Sequence, residues 1–375
     1  MRTRILLVAV LAALASLLPV AAQAGNGAGA DRYIVVLKDA VDPARVAELH
    51  AATYGASADH VWGTALHGYA AVIPNDRVAD VRADANVAYV VADGTVSADD
   101  QTLPWGIDKI DADVSSTLAG NGSGTVAGNA YVIDTGIDTT HPDLHVVEFK
   151  QYAGGPHRDC NGHGTHVAGT IGASDNTIGV VGVAPGISLH AVKVLNCAGS
   201  GTWSDVISGI DYVASTAPSG SVANMSLGGP QNTAVDDAVR NAVNAGVFFA
   251  VAAGNDGANA CGNSPAAAGT TNGVATVAAT DSGDNEASWS NYGSCVDIWA
   301  PGVSIYSTYK GGGYATLSGT SMATPHVAGG AALYLSSHAG ASPATVESSL
   351  KTDAVTPGTR SKDGRAITRE SVGKY

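Results

Sequence analysis

The octapeptide Gly319-Thr-Ser-Met-Ala-Thr-Pro-His326 contains the residue of this chain that is best suited to covalent chemistry. Ser321 follows a glycine that permits a sharp turn and precedes a small-residue run that predicts a helix over Met322–Leu335. A serine at the beginning of a helix lies near unpaired main-chain N–H groups, at the positive end of the helix dipole. Such groups stabilise the oxyanion that forms when a serine attacks a carbonyl carbon. The same position also suits a serine that only caps the helix.

Two upstream segments supply the base and the carboxylate that a nucleophilic serine needs. His163 lies between two glycines in Asn161–Gly169, which continues into a helical run. Asp134 follows the apolar run Tyr131–Ile133, which predicts a buried strand, and active-site residues of open α/β sheets collect at such strand ends. An Asx turn at Asp134, or an interior histidine at His163 or His166, is the alternative interpretation. The order Asp, His, Ser is one of three known chain orders of a catalytic triad.

Four groups of motifs follow one another along the chain: Val132–Gly136 with His141–Asp143, Asn161–Gly169, Asn224–Gly229 with Ala252–Asn255, and Gly319–Gly329. With these motifs the chain resembles the subtilisin family of serine proteases, most closely its proteinase K and aqualysin branch. The resemblance covers most of residues 104–350. It implies that Asp134, His163 and Ser321 form the triad and that the Asn255 amide joins the Ser321 N–H in binding the oxyanion. The implied protein is a broad-specificity endopeptidase that is monomeric and needs no cofactor for catalysis.

Composition is consistent with a large folded domain and excludes one class of partner. The chain has 375 residues, of which 45% are hydrophobic and 14% charged, so it can bury a large core. Its formal net charge is −14 and it has no basic cluster. Binding to nucleic acid therefore has no electrostatic basis.

The N-terminus predicts a signal peptide over residues 1–24. Arg2 and Arg4 precede an apolar run, Ile5–Ala22, and Ala22-Gln-Ala24 has the form of a signal-peptidase site. A transmembrane anchor is the alternative, but Pro19 lies near the end of the run and no charged stop follows it. We expect an extracellular protein that is not membrane-bound once the signal has been removed.

Secretion makes the four cysteines interpretable as disulfides. Four cysteines allow three pairings, and their spacing is too wide for a typical zinc site. The family resemblance implies the sequential pairing, Cys160 with Cys197 and Cys261 with Cys295. Each bridge would close a loop of about 35 residues, worth about 3–4 kcal/mol in the chain-entropy description.

Residues 25–97 predict a small α+β domain. Its strands and helices follow the order β-α-β-β-α-β of a ferredoxin-like motif, with strands in Tyr33–Leu37, Val61–Ile73 and Val87–Val91 and helices in Pro43–Ala52 and Asp76–Asp84. An ordinary accessory domain is the alternative. The segment resembles the family's inhibitory propeptide, which implies that it acts as an intramolecular inhibitor and is cleaved by the enzyme itself near Ser97–Ala98.

Residues 98–375 predict the peptidase domain, an α/β fold with a doubly wound, mostly parallel sheet. Apolar strands alternate with helices from Pro104 onward, a pattern typical of a sheet that is covered on both faces. The predicted strands are Ala130–Asp134, Ser188–Leu195, Val222–Leu227, Val247–Ala253, Val274–Ala278 and Val296–Ala300. The predicted helices are Val167–Ala173, Asp205–Ala217, Ala234–Ala245, Met322–Ser337 and Pro343–Lys351.

The resemblance also implies how a peptide or protein substrate is held. Two glycine-containing segments match those that receive the substrate as an added strand, a side-chain-blind mode that gives broad specificity. Trp203 falls where relatives carry an aromatic residue in the fourth specificity pocket. Two glycine-rich turns are the alternative interpretation. The substrate-binding residues implied are Gly199, Ser200, Gly201, Trp203, Ser226, Leu227 and Gly228.

Structural calcium is a further implication of the resemblance. Asp297 matches the carboxylate of a calcium site whose other ligands are main-chain carbonyls, but the matching region near Asn272–Val274 carries an insertion. Asp108 and Asp111 match a second site, in which Ala112 replaces an expected ligand. A solvated surface aspartate is the alternative at each position.

The sequence also has features of three other kinds of protein: an aspartic protease, a metalloenzyme and a non-catalytic binding protein. Asp134-Thr-Gly136 and Asp281-Ser-Gly283 are similar to the paired signatures of an aspartic protease, whose two carboxylates share a proton. That fold is all-β and leaves the serine and histidine motifs unexplained. His163 and His166 could indicate a metalloenzyme, but no glutamate lies between them as a zinc-protease helix requires. A non-catalytic binding protein is the third, although all four catalytic positions are intact.

Overall fold

The computed structural model describes residues 29–38, 40–93 and 101–375. The chain divides between residues 97 and 98 into two compact units. The predicted signal peptide, residues 1–24, and the predicted cleavage site near Ser97–Ala98 lie outside the described residues.

The first unit is the predicted β-α-β-β-α-β domain. Its antiparallel sheet has the strand order β2-β3-β1-β4, built from β1 (Ala30–Leu37), α1 (Pro43–Tyr54), β2 (Ser57–Trp62), β3 (Gly68–Pro74), α2 (Val78–Ala83) and β4 (Val87–Ala92). The Asp42 side chain caps α1 by accepting the N–H of Ala44 at 3.0 Å, and Pro43 occupies the first turn, where no N–H is needed. Helix α1 ends at Gly55, whose φ of 71° is left-handed. The predicted segment Val61–Ile73 contains the end of β2, which begins four residues earlier at Ser57, and most of β3, and the two strands pair.

The second unit is the predicted α/β domain. Its strands are β5 (Asn129–Asp134), β6 (Val146–Gln151), β7 (Ser188–Lys193), β8 (Val222–Met225), β9 (Gly229–Pro230), β10 (Phe248–Ala252), β11 (Asn263–Ser264), β12 (Val274–Thr280), β13 (Ile298–Pro301), β14 (Ile305–Tyr309) and β15 (Gly313–Leu317). Its helices are α3 (Trp105–Lys109), α4 (His163–Gly172), α5 (Trp203–Thr216), α6 (Thr233–Asn244), α7 (Thr320–Ser337) and α8 (Pro343–Asp353).

Seven of these strands form a parallel sheet in the order β13-β12-β10-β8-β5-β7-β6. The fold class is therefore confirmed. After β5 the chain first completes one side of the sheet, with β6 at the edge and then β7 beside β5, and afterwards builds the other side through β8, β10, β12 and β13. Ligands of such sheets bind beyond the carboxyl ends of the strands where the winding changes direction. In this sheet that point is the end of β5, at Asp134.

Alternation along β5 explains why the sheet is covered on both faces. Ala130 and Val132 belong to a core cluster with α4, α7 and α8, whereas Tyr131 and Ile133 belong to a second cluster with α5 and α6. Successive side chains of a strand point to opposite faces, so one apolar strand supplies both cores.

Five strands of the second unit were not predicted: β9 and β11, which have two residues each, and the longer strands β6, β14 and β15, whose patterns are not those of buried strands. Strand β6 lies at the edge of the sheet, where one of its sides has no neighbouring strand, and it carries Glu148 and Lys150. The hairpin β14–β15 pairs Ile305 with Leu317 at its open end and turns through Gly311 and Gly312, both with positive φ. This hairpin precedes α7 directly and contacts α4.

The structure contains two disulfides, with the pairing that the resemblance implies. Cys160 bonds to Cys197 with a Cα–Cα distance of 5.0 Å, and Cys261 bonds to Cys295 with a Cα–Cα distance of 5.4 Å. The first bridge lies three residues before His163 and joins the loop after β7 to the segment that leads into α4.

The C-terminal segment 354–375 packs along the second unit. The Arg369 N–H donates to Val355 and the Trp299 N–H donates to Thr368, at 2.8 and 3.0 Å. The Lys362 ammonium donates to the main-chain carbonyls of Ser288 at 2.8 Å and Ser290 at 2.5 Å. The segment therefore stabilises the 287–299 region by long-range contacts, which its sequence pattern did not predict.

Candidate active site

The centre of the site is a hydrogen bond between the end of β5 and the beginning of α4. His163 Nδ1 lies 2.8 Å from Asp134 Oδ1 and 3.0 Å from Oδ2. Because a carboxylate only accepts, Nδ1 carries the hydrogen and Nε2 of the neutral ring is left as a base. The Asp134 side chain is fully buried. Burial alone lowers the pKa of His163, but the Asp134 charge and hydrogen bond outweigh it and raise that pKa above 6.5.

Two glycines allow α4 to begin this close to β5. Gly162 precedes the helix with a φ of 105°, a left-handed conformation that favours glycine. A Cβ on Gly164 would collide with the Gly136 carbonyl oxygen and lie 3.2 Å from the Asp134 side chain. The Gly-His-Gly pattern is therefore a packing requirement of the Asp134–His163 contact. Helix α4 begins at His163, four residues earlier than predicted.

Asp159 organises the loop before His163, and the sequence interpretation missed it. It is 5% exposed, and its carboxylate accepts hydrogen bonds from Thr135 Oγ1 (3.0 Å), Asn161 N (3.0 Å), Gly162 N (2.8 Å), Thr165 N (3.0 Å) and Thr165 Oγ1 (2.6 Å). These bonds satisfy N–H groups at the start of α4 that have no partner within the helix. Asp159 lies eight residues before the predicted helix start at Val167, so its signal, an acidic residue just before a helix, could have been found only with the true start at His163.

Lys193 is the second residue that the sequence interpretation missed. Its side chain is fully buried at the end of β7, and Nζ donates to the carbonyls of Thr135 at 2.7 Å and Leu195 at 2.9 Å. Burial lowers the pKa of Lys193, while the charges of Asp159 and Asp134 raise it in part. The ammonium group therefore places positive charge beneath two buried carboxylates. A lone lysine within an apolar strand was its only local signal.

Ser321 lies in the first turn of α7, which begins at Thr320. Its hydroxyl donates to the Ser226 carbonyl at 3.1 Å, and the Ser226 hydroxyl donates to the Ser321 carbonyl at 2.8 Å. This reciprocal pair joins the start of α7 to the segment after β8. Within the described part of the chain no hydrogen bond links Ser321 to His163. Catalytic hydrogen bonds of ligand-free enzymes are often long and form fully only with substrate.

The orientation of the Asn255 side chain follows from its neighbours. Its Oδ1 accepts the Thr320 N–H at 2.8 Å and the Thr320 hydroxyl at 3.0 Å. A main-chain N–H can only donate, so the accepting atom is the amide oxygen and Nδ2 faces the other way. A Cβ on Gly319 would lie 3.6 Å from Ser321 N and 3.7 Å from Asn255 Nδ2. Two N–H donors therefore adjoin one point beside Gly319.

Thr320 fixes the position of Asn255 relative to α7. Its hydroxyl donates to Asn255 and accepts the Gly254 N–H at 3.1 Å, and the residue is fully buried. The loop after β10 is thereby tied to α7 through one side chain.

Two adjoining cavities form a cleft along these residues. One, of about 610 Å³, is lined by every residue that the family resemblance implies for substrate binding, together with His163. The other, of about 490 Å³, is lined by Ala252–Asp256, Gly262–Ser264, Thr320 and Ser321. Both share Leu227–Pro230, so the cleft is continuous past Ser321.

At Asp297, the first expected calcium position, both carboxylate oxygens already accept hydrogen bonds. Asp297 Oδ1 bonds the Lys351 ammonium at 2.9 Å and Oδ2 accepts the Thr276 N–H at 3.0 Å. Asp111 accepts the Ser371 hydroxyl at 2.5 Å. Among residues 29–38, 40–93 and 101–375 no group of three or more acidic, histidine or cysteine side chains could hold a metal ion.

The rival site interpretations do not match the geometry. His166 is fully buried, its Nε2 lies 3.0 Å from the Ile305 carbonyl, and burial lowers its pKa to about 4. It is therefore a neutral interior histidine and not a partner of His163. Asp281 accepts the N–H groups of Gly283 and Asn285, both at 2.9 Å, and so forms a turn of its own.

Comparison with known proteins places both units. The Subtilase family matches residues 130–373, and Peptidase inhibitor I9 matches residues 32–99. The chain is 47% identical over 309 residues to the extracellular serine proteinase of Thermus sp. (strain Rt41A), covering 79% of this chain and 73% of that one. It is 42% identical over 353 residues to the alkaline serine exoprotease A of Vibrio alginolyticus, covering 87% of this chain and 64% of that longer protein.

Solved structures agree with these relatives. A crystal structure of a cold-adapted subtilisin-like serine proteinase superposes with a TM-score of 0.63 at 45% identity, over 72% of this chain and 97% of that one. No helix in the described ranges has the length and apolarity needed to cross a bilayer.

Proposed function

The chain belongs to the subtilase family of serine endopeptidases, and from that premise we propose that Asp134, His163 and Ser321 form its catalytic triad, with Asn255 in the oxyanion hole. The observation that carries this proposal is the Asp134–His163 hydrogen bond, which faces the same cleft as Ser321. Subtilases need no cofactor for catalysis. Side chains and main-chain groups of the chain itself supply each step below.

The reaction begins when the Ser321 hydroxyl turns from the Ser226 carbonyl toward His163. His163 Nε2 takes the hydroxyl proton as Oγ forms a bond to the scissile carbonyl carbon. The resulting oxyanion accepts hydrogen bonds from the Ser321 N–H and Asn255 Nδ2. His163 then gives its proton to the amine nitrogen as the C–N bond breaks. Water, activated by the same base, hydrolyses the acyl-serine.

Asp134 acts through His163. Its charge favours the imidazolium that forms in each transition state, and its two oxygens hold the ring with Nε2 toward the cleft. The raised pKa of His163 is the ground-state measure of that interaction. Asp159 and Lys193 are positioning residues, because one holds the start of α4 and the other sets charge beneath β5.

The composition of the cleft walls supports the proposal of broad specificity. Two segments on its walls offer main-chain groups to a bound peptide strand: Gly199–Gly201 and Ser226–Gly228. Binding of this kind depends on the substrate backbone and not on its side chains. The cavity beside Ser321 is walled by small residues such as Ala252 and Gly254. We expect it to accept apolar or aromatic side chains on the acyl side of the scissile bond. Trp203, in the first cavity, favours an apolar residue further along the peptide.

The first unit acts as the intramolecular inhibitor. Its match to inhibitor I9 covers residues 32–99, and a secreted enzyme needs such control during synthesis. The protein is exported with a signal at residues 1–24, acts extracellularly as a monomer without nucleic acid or membrane partners, and removes residues 25–97 itself, near Ser97–Ala98. A structural calcium ion is not needed by any of these steps.

The experiment is a comparison of two serine substitutions on α7. Ser321→Ala removes the proposed nucleophile, whereas Ser336→Ala makes the same chemical change at an exposed position of the same helix. Both are expressed in a protease-deficient host and measured by intact mass. We expect Ser336→Ala to mature normally and Ser321→Ala to accumulate as a folded proprotein about 8 kDa heavier, at roughly 110 Da per residue. Normal cleavage near residue 97 in Ser321→Ala refutes self-processing, and retained casein hydrolysis refutes the triad.

A further inference from the structure

Asp297 and Glu347 form a pair of buried carboxylates on one side of the second unit. Their side chains are 8% and 7% exposed. Asp297 directly precedes β13, and Glu347 lies on α8, so residues 50 positions apart are brought together by the packing of α8 against the sheet. Two carboxylates this well buried need a cation nearby or must give up their charge.

The cation is Lys351, one turn after Glu347 on α8. Its Nζ lies 2.9 Å from Asp297 Oδ1 and 3.0 Å from Glu347 Oε1. The spacing of four residues places Glu347 and Lys351 on the same face of α8. The lysine stem is held by its own helix, so the ammonium group bridges both carboxylates.

The remaining carboxylate oxygens are also occupied. Asp297 Oδ2 accepts the Thr276 N–H at 3.0 Å, and Glu347 Oε2 accepts the Gly273 N–H at 2.6 Å. All four oxygens therefore face N–H donors. Gly273 lies in the segment with the insertion, where the family resemblance implies carbonyl ligands for a metal. At Gly273 the main chain presents an N–H group to the Glu347 carboxylate.

Calcium needs six to eight oxygen ligands at about 2.3–2.6 Å. Here calcium would have to displace the ammonium group of Lys351, which is tethered to α8. It would also have to break the hydrogen bonds that main-chain N–H groups donate to both carboxylates. A tethered group competes at a high effective concentration that free calcium must exceed.

We propose that Lys351 takes the place that the family resemblance assigns to calcium at Asp297, so that the chain supplies this cation itself. The ammonium group bridges Asp297 and Glu347 and links α8 to β13 without a metal. Stability at this site is then independent of calcium. Calcium and Lys351 are competitors for the same two carboxylates.

The test uses mature enzyme blocked at Ser321 with a serine-directed fluorophosphonate, so that autolysis does not interfere. The variants are Lys351→Met, which removes the cation and keeps the apolar stem, and Lys374→Met, which breaks an exposed ion pair with Asp353. Each is unfolded by heat with EDTA and with millimolar calcium, and bound calcium is counted by equilibrium dialysis. Calcium that binds elsewhere affects Lys374→Met and Lys351→Met equally, so the difference between the two variants reports only the site at Asp297.

We expect wild type and Lys374→Met to respond equally to calcium. Lys351→Met should lose on the order of 10 °C in EDTA, because two buried carboxylates lose their cation. Calcium should restore much of that loss and bind with one more ion per molecule than in wild type. Equal calcium responses in the three proteins overturn the proposal.

A second variant keeps the test decisive if Lys351→Met does not fold. Asp297→Asn removes the carboxylate while Lys351 stays paired with Glu347. We expect it to bind as many calcium ions as wild type. Loss of one bound ion would show that Asp297 is a calcium ligand in the natural chain, and the proposal would fail.

Discussion

Glu370 offers the sharpest quantitative test of the structure. This residue of the C-terminal segment is completely buried and packs against Gly330 of α7, where any side chain would collide with its carboxyl group. Neither carboxyl oxygen has a hydrogen-bond partner within the described residues. Burial raises the pKa of Glu370 from 4.5 to about 8, although the neighbouring Arg369 charge lowers it in part. The carboxyl group is therefore neutral at pH 7.

The sign of the pH dependence follows from linkage. Between pH 4.5 and about 8 the unfolded chain has released a proton that the folded protein retains. The free energy of unfolding then decreases as pH rises, by about 1.4 kcal/mol per pH unit. Above pH 8 the loss is complete, at up to about 5 kcal/mol. Glu370→Gln keeps the shape of the neutral acid and removes this dependence.

We therefore expect Glu370→Gln to match the wild type within about 1 kcal/mol at pH 5 and to exceed it by up to about 5 kcal/mol at pH 9. Guanidinium unfolding of fluorophosphonate-blocked enzyme at pH 5, 7 and 9 measures the difference. Asp211→Asn, an exposed substitution on α5 that also removes one negative charge, controls for net charge. A constant difference between Glu370→Gln and wild type across the three pH values would refute the reasoning.

Three further predictions concern the site and its supports. Hydrolysis should fall as pH drops through the pKa of His163, because only the neutral ring accepts a proton. Asp134 raises that pKa, so the midpoint of kcat/KM plotted against pH should lie above 6.5. An activity maximum below about pH 5 would contradict the mechanism. Thr320→Val leaves the Gly254 N–H unpaired and removes a hydrogen bond to Asn255, so we expect the free energy of unfolding to fall by about 1–3 kcal/mol. On a peptide substrate, kcat should fall with little change in KM. An unchanged kcat argues against positioning by Thr320. Reducing both disulfides should cost about 3–4 kcal/mol of unfolding free energy per bridge and lower the half-life on heating more than activity at room temperature; four thiols titrated in the untreated protein would remove the premise.

Local patterns were sufficient for most of the fold. Helix α5 begins within two residues of its predicted position because its capping box, Thr202 with Asp205, lies within one turn. Strands β5 and β10 were predicted because both faces are buried and the runs are continuously apolar. Strand β6 was missed for the opposite reason, since an edge strand with charged side chains has no such run.

The amino-acid sequence by itself determined the types and order of the proposed catalytic residues, because their chemistry tolerates few substitutes and their flanking glycines answer local packing demands. Only the tertiary structure decided which charges lie beside one another. Asp159 beneath Thr135, Lys193 below β5 and Lys351 against Asp297 all have partners from 24 to 58 positions away in the chain. Electrostatic and hydrogen-bond energies depend on distance in space, and periodicity along a sequence reports only the nearest turns of a helix or strand.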